Sequence, residues 1–231
     1  MSRLLVILLL AMASCSATRA DVDGGWKLEK QKDGISVYSR ERDDSDYREF
    51  RAEAFVAAQL NQLMGVLDDT AACPRWMHNC LAPVLLAEPD VLERFTYMRN
   101  DLPWPYKDRA LLVRSSITPG DTEVRIALQG IEREALPAAA RDKLPDLGSY
   151  PWAERFAGEF TFVPVEGGHQ VSYRLHIDLG GSPSATLANG VIAETPLKTL
   201  AGLRAIVEEQ RYRDFEIPAW ESVPATAAPN R

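Results

Sequence analysis

The chain has 231 residues, 46% of them hydrophobic and 26% charged, with 26 Lys and Arg against 33 Asp and Glu. That profile excludes a disordered chain, a collagen-like repeat and a polytopic membrane protein. It fits a globular domain long enough to bury roughly 70% of its unfolded surface without a structural metal. A net charge of −7 and the lack of a dense Lys/Arg cluster argue against nucleic acid as a partner, because neutralising phosphates needs a basic patch.

The first element is an apolar run from Leu4 to Ala13 behind Arg3. Ten residues of helix reach about 15 Å, half of a bilayer's hydrocarbon thickness, so the run reads as the core of a secretion signal. Cleavage after Ala20 removes Arg3 and Arg19 and leaves 24 cations against 33 anions, a charge of −9. A rival reading takes Met12-Ala13-Ser14-Cys15 as a lipoprotein box with Cys15 bearing the lipid. Either reading places residues 24–214 in the periplasm or outside the cell.

Trp26 opens the ordered region, and Asp33-Gly34 signals a turn before the alternating Ile35-Ser36-Val37-Tyr38, which pairs with a strand from Tyr47 to Val56. Leu60, Leu63, Met64 and Leu67 recur at threes and fours, predicting a helix over Ala57 to Leu67. In CPRWMHNC, Cys73 and Cys80 are suited to a disulfide in an oxidising compartment. Two free thiols, or a metal site using His78 as well, are the alternatives, although three ligands at this spacing match no standard zinc pattern. Strands follow over Leu81–Ala87, Val91–Arg99, Ala110–Ile117, Glu123–Gln129, Arg155–Val163 and Gln170–Leu179, separated by turn residues as in an antiparallel meander. A long helix runs from Ala185 to Tyr212, bent near Ile192 by Pro196. The tail, residues 215–231, has little periodicity and reads as flexible.

This is an α+β architecture, a curved antiparallel sheet wrapped around a long C-terminal helix, and space between the two becomes an apolar cavity. By strand parity Val171, Tyr173, Leu175, Ile177 and Leu179 face inward. Phe95, Tyr97 and Arg99 share one face of their strand, and Arg109, Leu111 and Val113 share a face of the next.

The order GWKLEKQKDGISVYSR, REFRAE, PRWMHNC, DLPWPYKDRALLVR and GGSPSATLANGVIAETPLKTLAGLR resembles a START (steroidogenic-acute-regulatory-protein-related lipid transfer) domain over Gly24 to Tyr212. The resemblance rests on Trp26 with Asp33-Gly34-Ile35, on Pro103-Trp104-Pro105 leading to Asp108-Arg109, and on Asn189, Pro196, Leu200, Leu203 and Arg204. It implies a helix-grip fold enclosing one lipid or other hydrophobic small molecule, with no cofactor, no metal and no reaction. A monomer in transient contact with a membrane is the corresponding expectation. The ligand would pass beneath the loop Ser116–Thr122 and the helix face Leu187, Val191 and Thr195. Tyr97, Arg99 and Arg109 would orient its head group against walls including Val113, Tyr173 and Leu175. Sterol-binding members often carry an arginine six residues beyond the Asp-Arg pair; here that position is Ser115, and Arg114 lies one residue early.

Two other classes stay open. Related helix-grip folds include polyketide aromatases and cyclases, although the three histidines, His78, His169 and His176, form no recognisable catalytic motif. The third reading is a periplasmic interaction module whose cavity is filled by its own side chains.

Overall fold

A computed structural model of the chain describes residues 24–146, 148, 150–181 and 184–217. The apolar amino-terminal run, Cys15 and the tail past residue 217 lie outside the described residues. Strands β1 (Lys27–Lys32), β2 (Ile35–Arg42) and β3 (Ser45–Val56) open the fold. Asp33 and Gly34 both take positive φ, 51° and 72°, the backbone that a two-residue hairpin turn demands and that Asp-Gly tolerates. β2 buries Ile35, Val37 and Ser39 in strict alternation. β1 has no such pattern, since Leu28 is its one apolar residue; it is an edge strand paired only with β2, and its charges suit that position.

The chain then crosses the sheet as helix α1 (Leu60–Asp68), a 3-10 turn over Thr70–Ala72 and the single turn α2 (Cys73–Trp76). α1 starts later than its apolar spacing predicts because Gln59 is its cap: Gln62 Oε1 accepts the Gln59 backbone N–H at 2.9 Å. Strands β4 (Cys80–Asp90), β5 (Glu93–Asn100), β6 (Arg109–Pro119), β7 (Val124–Gly130), β8 (Arg155–Val165) and β9 (Gly168–Asp178) follow as a meander. The nine-stranded antiparallel order is β1-β2-β3-β9-β8-β7-β6-β5-β4. The crossover through α1 and α2 therefore places β3 beside β9, with Phe50 opposite Leu175 and Val56 opposite His169.

The predicted final helix is three helices, α4 (Ala185–Ile192), α5 (Thr195–Ile206) and α6 (Gln210–Arg213). Pro196 has no N–H to offer the Ile192 carbonyl four residues back and crowds it, so α4 stops there and Pro196 becomes the second residue of α5. α5 buries Leu197, Leu200, Leu203 and Ile206 and packs on β2, β3 and β9. α4 is fixed to β3 through Asn189, whose Oδ1 accepts from Arg48 N at 2.9 Å and whose Nδ2 donates to Asp46 O at 3.3 Å. At Gly202 the backbone of Trp76 fills the space a Cβ would need, so α2 and α5 meet closely.

Apolar residues are buried on both faces of the sheet. The main core fills the concave face. A second cluster of Leu86, Phe95, Tyr97, Ala110, Leu112, Leu136 and Ala140 lies on the convex face of β4–β6, covered by the β7–β8 connection with its helix α3 (Ala138–Arg141).

Candidate functional site

The concave face of β5–β8 does not touch α5 across its whole width, and what remains is a cavity of about 470 Å³. Inward positions form its floor: Thr96 and Met98 of β5, Val113, Ser115 and Ile117 of β6, Ile126 and Leu128 of β7, and Phe160 of β8. The register makes this consistent, because Thr96 lies opposite Val113 and Ser115 opposite Leu128, and directly opposed residues share a face. Its roof is Met64 and Leu67 of α1, Trp76 and Met77, and Phe215 and Ile217. Trp76 and Phe160 rings lie 6.0 Å apart, and Phe160 stacks on Tyr173 at 4.2 Å. Cys73, joined by a disulfide to Cys80, also reaches the wall.

Residues 215–217, read from sequence as the start of a flexible tail, are part of this roof. Gly65 makes room for Phe215, whose Cβ and Cγ stand 2.9 Å from where a Cβ would be, and Asn61 Nδ2 donates to the carbonyls of Arg213 and Phe215, both at 3.1 Å.

The mouth opens between the C-terminal end of α1 and the β4–β5 hairpin, where Asp68, Asp69, Thr70, Glu88, Asp90 and Arg94 line it. Arg94 clasps the two sides together. Its Nη1 donates to Asp68 O at 2.8 Å and Leu67 O at 3.2 Å, its Nε donates to Glu88 Oε1 at 2.9 Å, and its Nη2 pairs with Asp68. Asp69 accepts from the Tyr212 hydroxyl at 3.1 Å and pairs with Arg211 at 2.8 Å. Burial, then the hydrogen bond to this carboxylate, pushes the Tyr212 phenol up to about 12, so it stays a donor at physiological pH.

Of the residues singled out in the sequence, Val113 lies on this cavity. Tyr173, Leu175, Val191 and Thr195 instead surround a separate void of about 20 Å³ beneath the α4–α5 junction, room for about one water molecule, so here the core is packed. Tyr97 points the other way, into the convex cluster, where burial raises its phenol. Arg99 shares that face, paired with Asp108 at 3.3 Å and stacked on Tyr150 at 4.5 Å. The shared parity of Phe95, Tyr97 and Arg99 is real, but the β7–β8 connection buries that face against the convex side.

Arg109 is 4% exposed and its guanidinium donates to the carbonyls of Leu179, Lys107 and Gly180, at 2.5, 2.6 and 3.2 Å. It holds the β9–α4 connection in place. Burial depresses its pKa, as expected for a desolvated cation. Leu187 is 58% exposed and belongs to neither of these two voids. The β6–β7 turn region expected over Ser116–Thr122 contributes Ile117. Ser115 faces the cavity, and Arg114, on the other face of β6, pairs with Glu93.

Comparison with known proteins agrees with this geometry. A STAR-related lipid transfer protein from Xanthomonas axonopodis superposes with a TM-score of 0.70 and 32% identity, over 80% of this chain and 99% of that one. The chain belongs to the START-related lipid transfer family. Among START domains more distant in sequence, human StAR-related lipid transfer protein 5 shares the fold at a TM-score of 0.68 and 13% identity, over 80% of this chain and 88% of its own. An uncharacterised protein of Pseudomonas aeruginosa is 26% identical over 186 residues, 80% of this chain and 88% of its own length. The fold is shared at greater distance by Zhui aromatase/cyclase from Streptomyces, TM-score 0.52 and 13% identity over 70% of this chain and 93% of its own. No protein-family model matches the chain.

Proposed function

We propose that this START domain takes up a single lipid in the cavity beneath α1 and carries it between membranes without altering it. The observation that carries the reading is a chamber of about 470 Å³ walled by Met, Leu, Ile, Val and aromatic side chains and open at one mouth. Hiding about ten methylenes there is worth roughly 8 kcal/mol, enough to hold a lipid monomer away from water. Apart from the mouth residues, the polar side chains on the wall are Thr96, Ser115 and the indole of Trp76. These orient a ligand or a water and supply no strong acid or base, which favours a carrier over a cyclase.

The protein works as a monomer in the periplasm or outside the cell, a placement supported by the signal-like amino terminus and by the Cys73–Cys80 disulfide. Its membrane contact is transient. Trp104, 92% exposed on the β5–β6 loop, and Leu187, exposed on α4, are apolar side chains suited to touch a bilayer surface. The test is transfer of a fluorescent single-chain lipid from donor to acceptor vesicles. Catalytic amounts of protein should accelerate it, and Trp104→Ser should slow it without changing affinity. Transfer no faster than spontaneous exchange refutes the proposal, and chemical change of the lipid would point to an enzyme instead.

A further inference from the structure

Resting on the reading of the chamber as a lipid site, we propose that its ligand is a single-chain lipid with an uncharged or cationic head, and that the mouth rejects anionic heads. Size sets the first half. On the scale by which a void of about 20 Å³ holds one water, 470 Å³ holds roughly 24 water-sized groups. That is one acyl chain; a two-chain phospholipid has more than twice as many atoms.

Charge sets the second half. Four carboxylates line the mouth, Asp68, Asp69, Glu88 and Asp90, and the cation among them is Arg94. Arg94 is already committed to Glu88, Asp68 and two carbonyls at the C-terminal end of α1. Those carbonyls belong to the negative end of the helix dipole, so they add to the field of the carboxylates. The neighbouring cation Arg211 is also engaged, with Asp69, and Glu93 turns with its partner Arg114 to the other face of the sheet. Four anions thus face two paired cations. A carboxylate or phosphate head would have to strip Arg94 from four acceptors and still meet uncompensated negative charge. A hydroxyl or ammonium head has donors to offer the same oxygens.

The experiment is displacement of a fluorescent apolar probe from delipidated full-length protein by ligands that share one palmitoyl-length chain: monopalmitoylglycerol, hexadecylamine and palmitate, with dipalmitoyl phosphatidylcholine as the two-chain case. At about pH 8, where palmitate is ionised, monopalmitoylglycerol and hexadecylamine should displace the probe about tenfold more tightly than palmitate, a factor set by one or two screened charge contacts. The gap should narrow at about 0.5 M salt, as screening shortens the reach of the carboxylates. In Glu88→Gln/Asp90→Asn the ratio of palmitate to monopalmitoylglycerol affinity should move toward one. Palmitate binding as tightly as monopalmitoylglycerol, or a ratio insensitive to both salt and substitution, overturns the head-group assignment while leaving the chamber intact. Tighter binding of the phosphatidylcholine overturns the single-chain assignment. If no probe binds the folded protein, the lipid-site reading fails and this inference with it.

Discussion

Ser115→Trp probes the chamber from its floor. Ser115 points inward from β6 between Arg94 and Leu128 in register, and its small side chain leaves the space above it open. The indole adds about eight non-hydrogen atoms, or about 160 Å³ at roughly 20 Å³ each, which is about a third of the 470 Å³ available. A ligand that loses room for about eight methylenes forfeits up to about 6 kcal/mol of burial at the usual 0.8 kcal/mol each. If the chain rearranges and only about 2 kcal/mol is lost, affinity still falls roughly 30-fold. The variant should be as stable as the wild type or more so, because it fills a void and does not crowd a packed core. Probe displacement measures the first effect and urea denaturation the second. Affinity within twofold of wild type in a folded Ser115→Trp protein would refute the reasoning, since the ligand would then have to sit elsewhere.

The remaining predictions concern what holds the fold around the site. Arg109→Met should lower stability by about 3 kcal/mol in urea denaturation, because three backbone carbonyls lose their charged donor; lost lipid binding at unchanged stability would make Arg109 a ligand residue after all. Cys73→Ala/Cys80→Ala should lose about 2.5 kcal/mol, the chain entropy of the short loop the disulfide closes, and an unchanged urea midpoint would contradict this. Burial, followed by the charge of Arg42, holds the His176 pKa below its ordinary value, and burial with Lys198 does the same for His78. The unfolded chain therefore takes up protons first. Stability should be full above about pH 7.5 and fall as pH drops through the unfolded value of about 6.5 toward the folded-state values, with His176→Gln reducing the loss between about pH 7.5 and 5; an equal loss in the variant would contradict this.

Much of the fold is legible because alternation survives in the strands that face a core. Ile35, Val37 and Ser39 are buried in turn, as are Val171, Tyr173, Leu175 and Ile177. Pro196 marks the helix break at the carbonyl it cannot serve. What was not legible depends on partners distant in sequence. β5 is apolar or large on both faces, so the parity of Phe95 and Tyr97 does not say which side is the chamber. Only the register that sets Thr96 against Val113, and the covering β7–β8 connection, decide it. Phe215 and Ile217 have no periodicity of their own, and Phe215 is held by contacts to α1 some 150 positions earlier. The mouth carboxylates come from the end of α1 and the β4–β5 hairpin, and nothing in either segment alone marks them as neighbours. The sequence marks Ser115 as the sixth position past the Asp-Arg pair, but it could not reveal that α1 and Trp76, not α5, cover that part of the sheet.

The central claim is that the hollow under α1 holds one lipid molecule, and native mass spectrometry of the purified protein tests it most directly. The account predicts a bound species at one copy per chain, identified after organic extraction as a single-chain lipid and absent from Ser115→Trp. A folded wild-type protein that shows only its apo mass, before and after incubation with monopalmitoylglycerol, would contradict it.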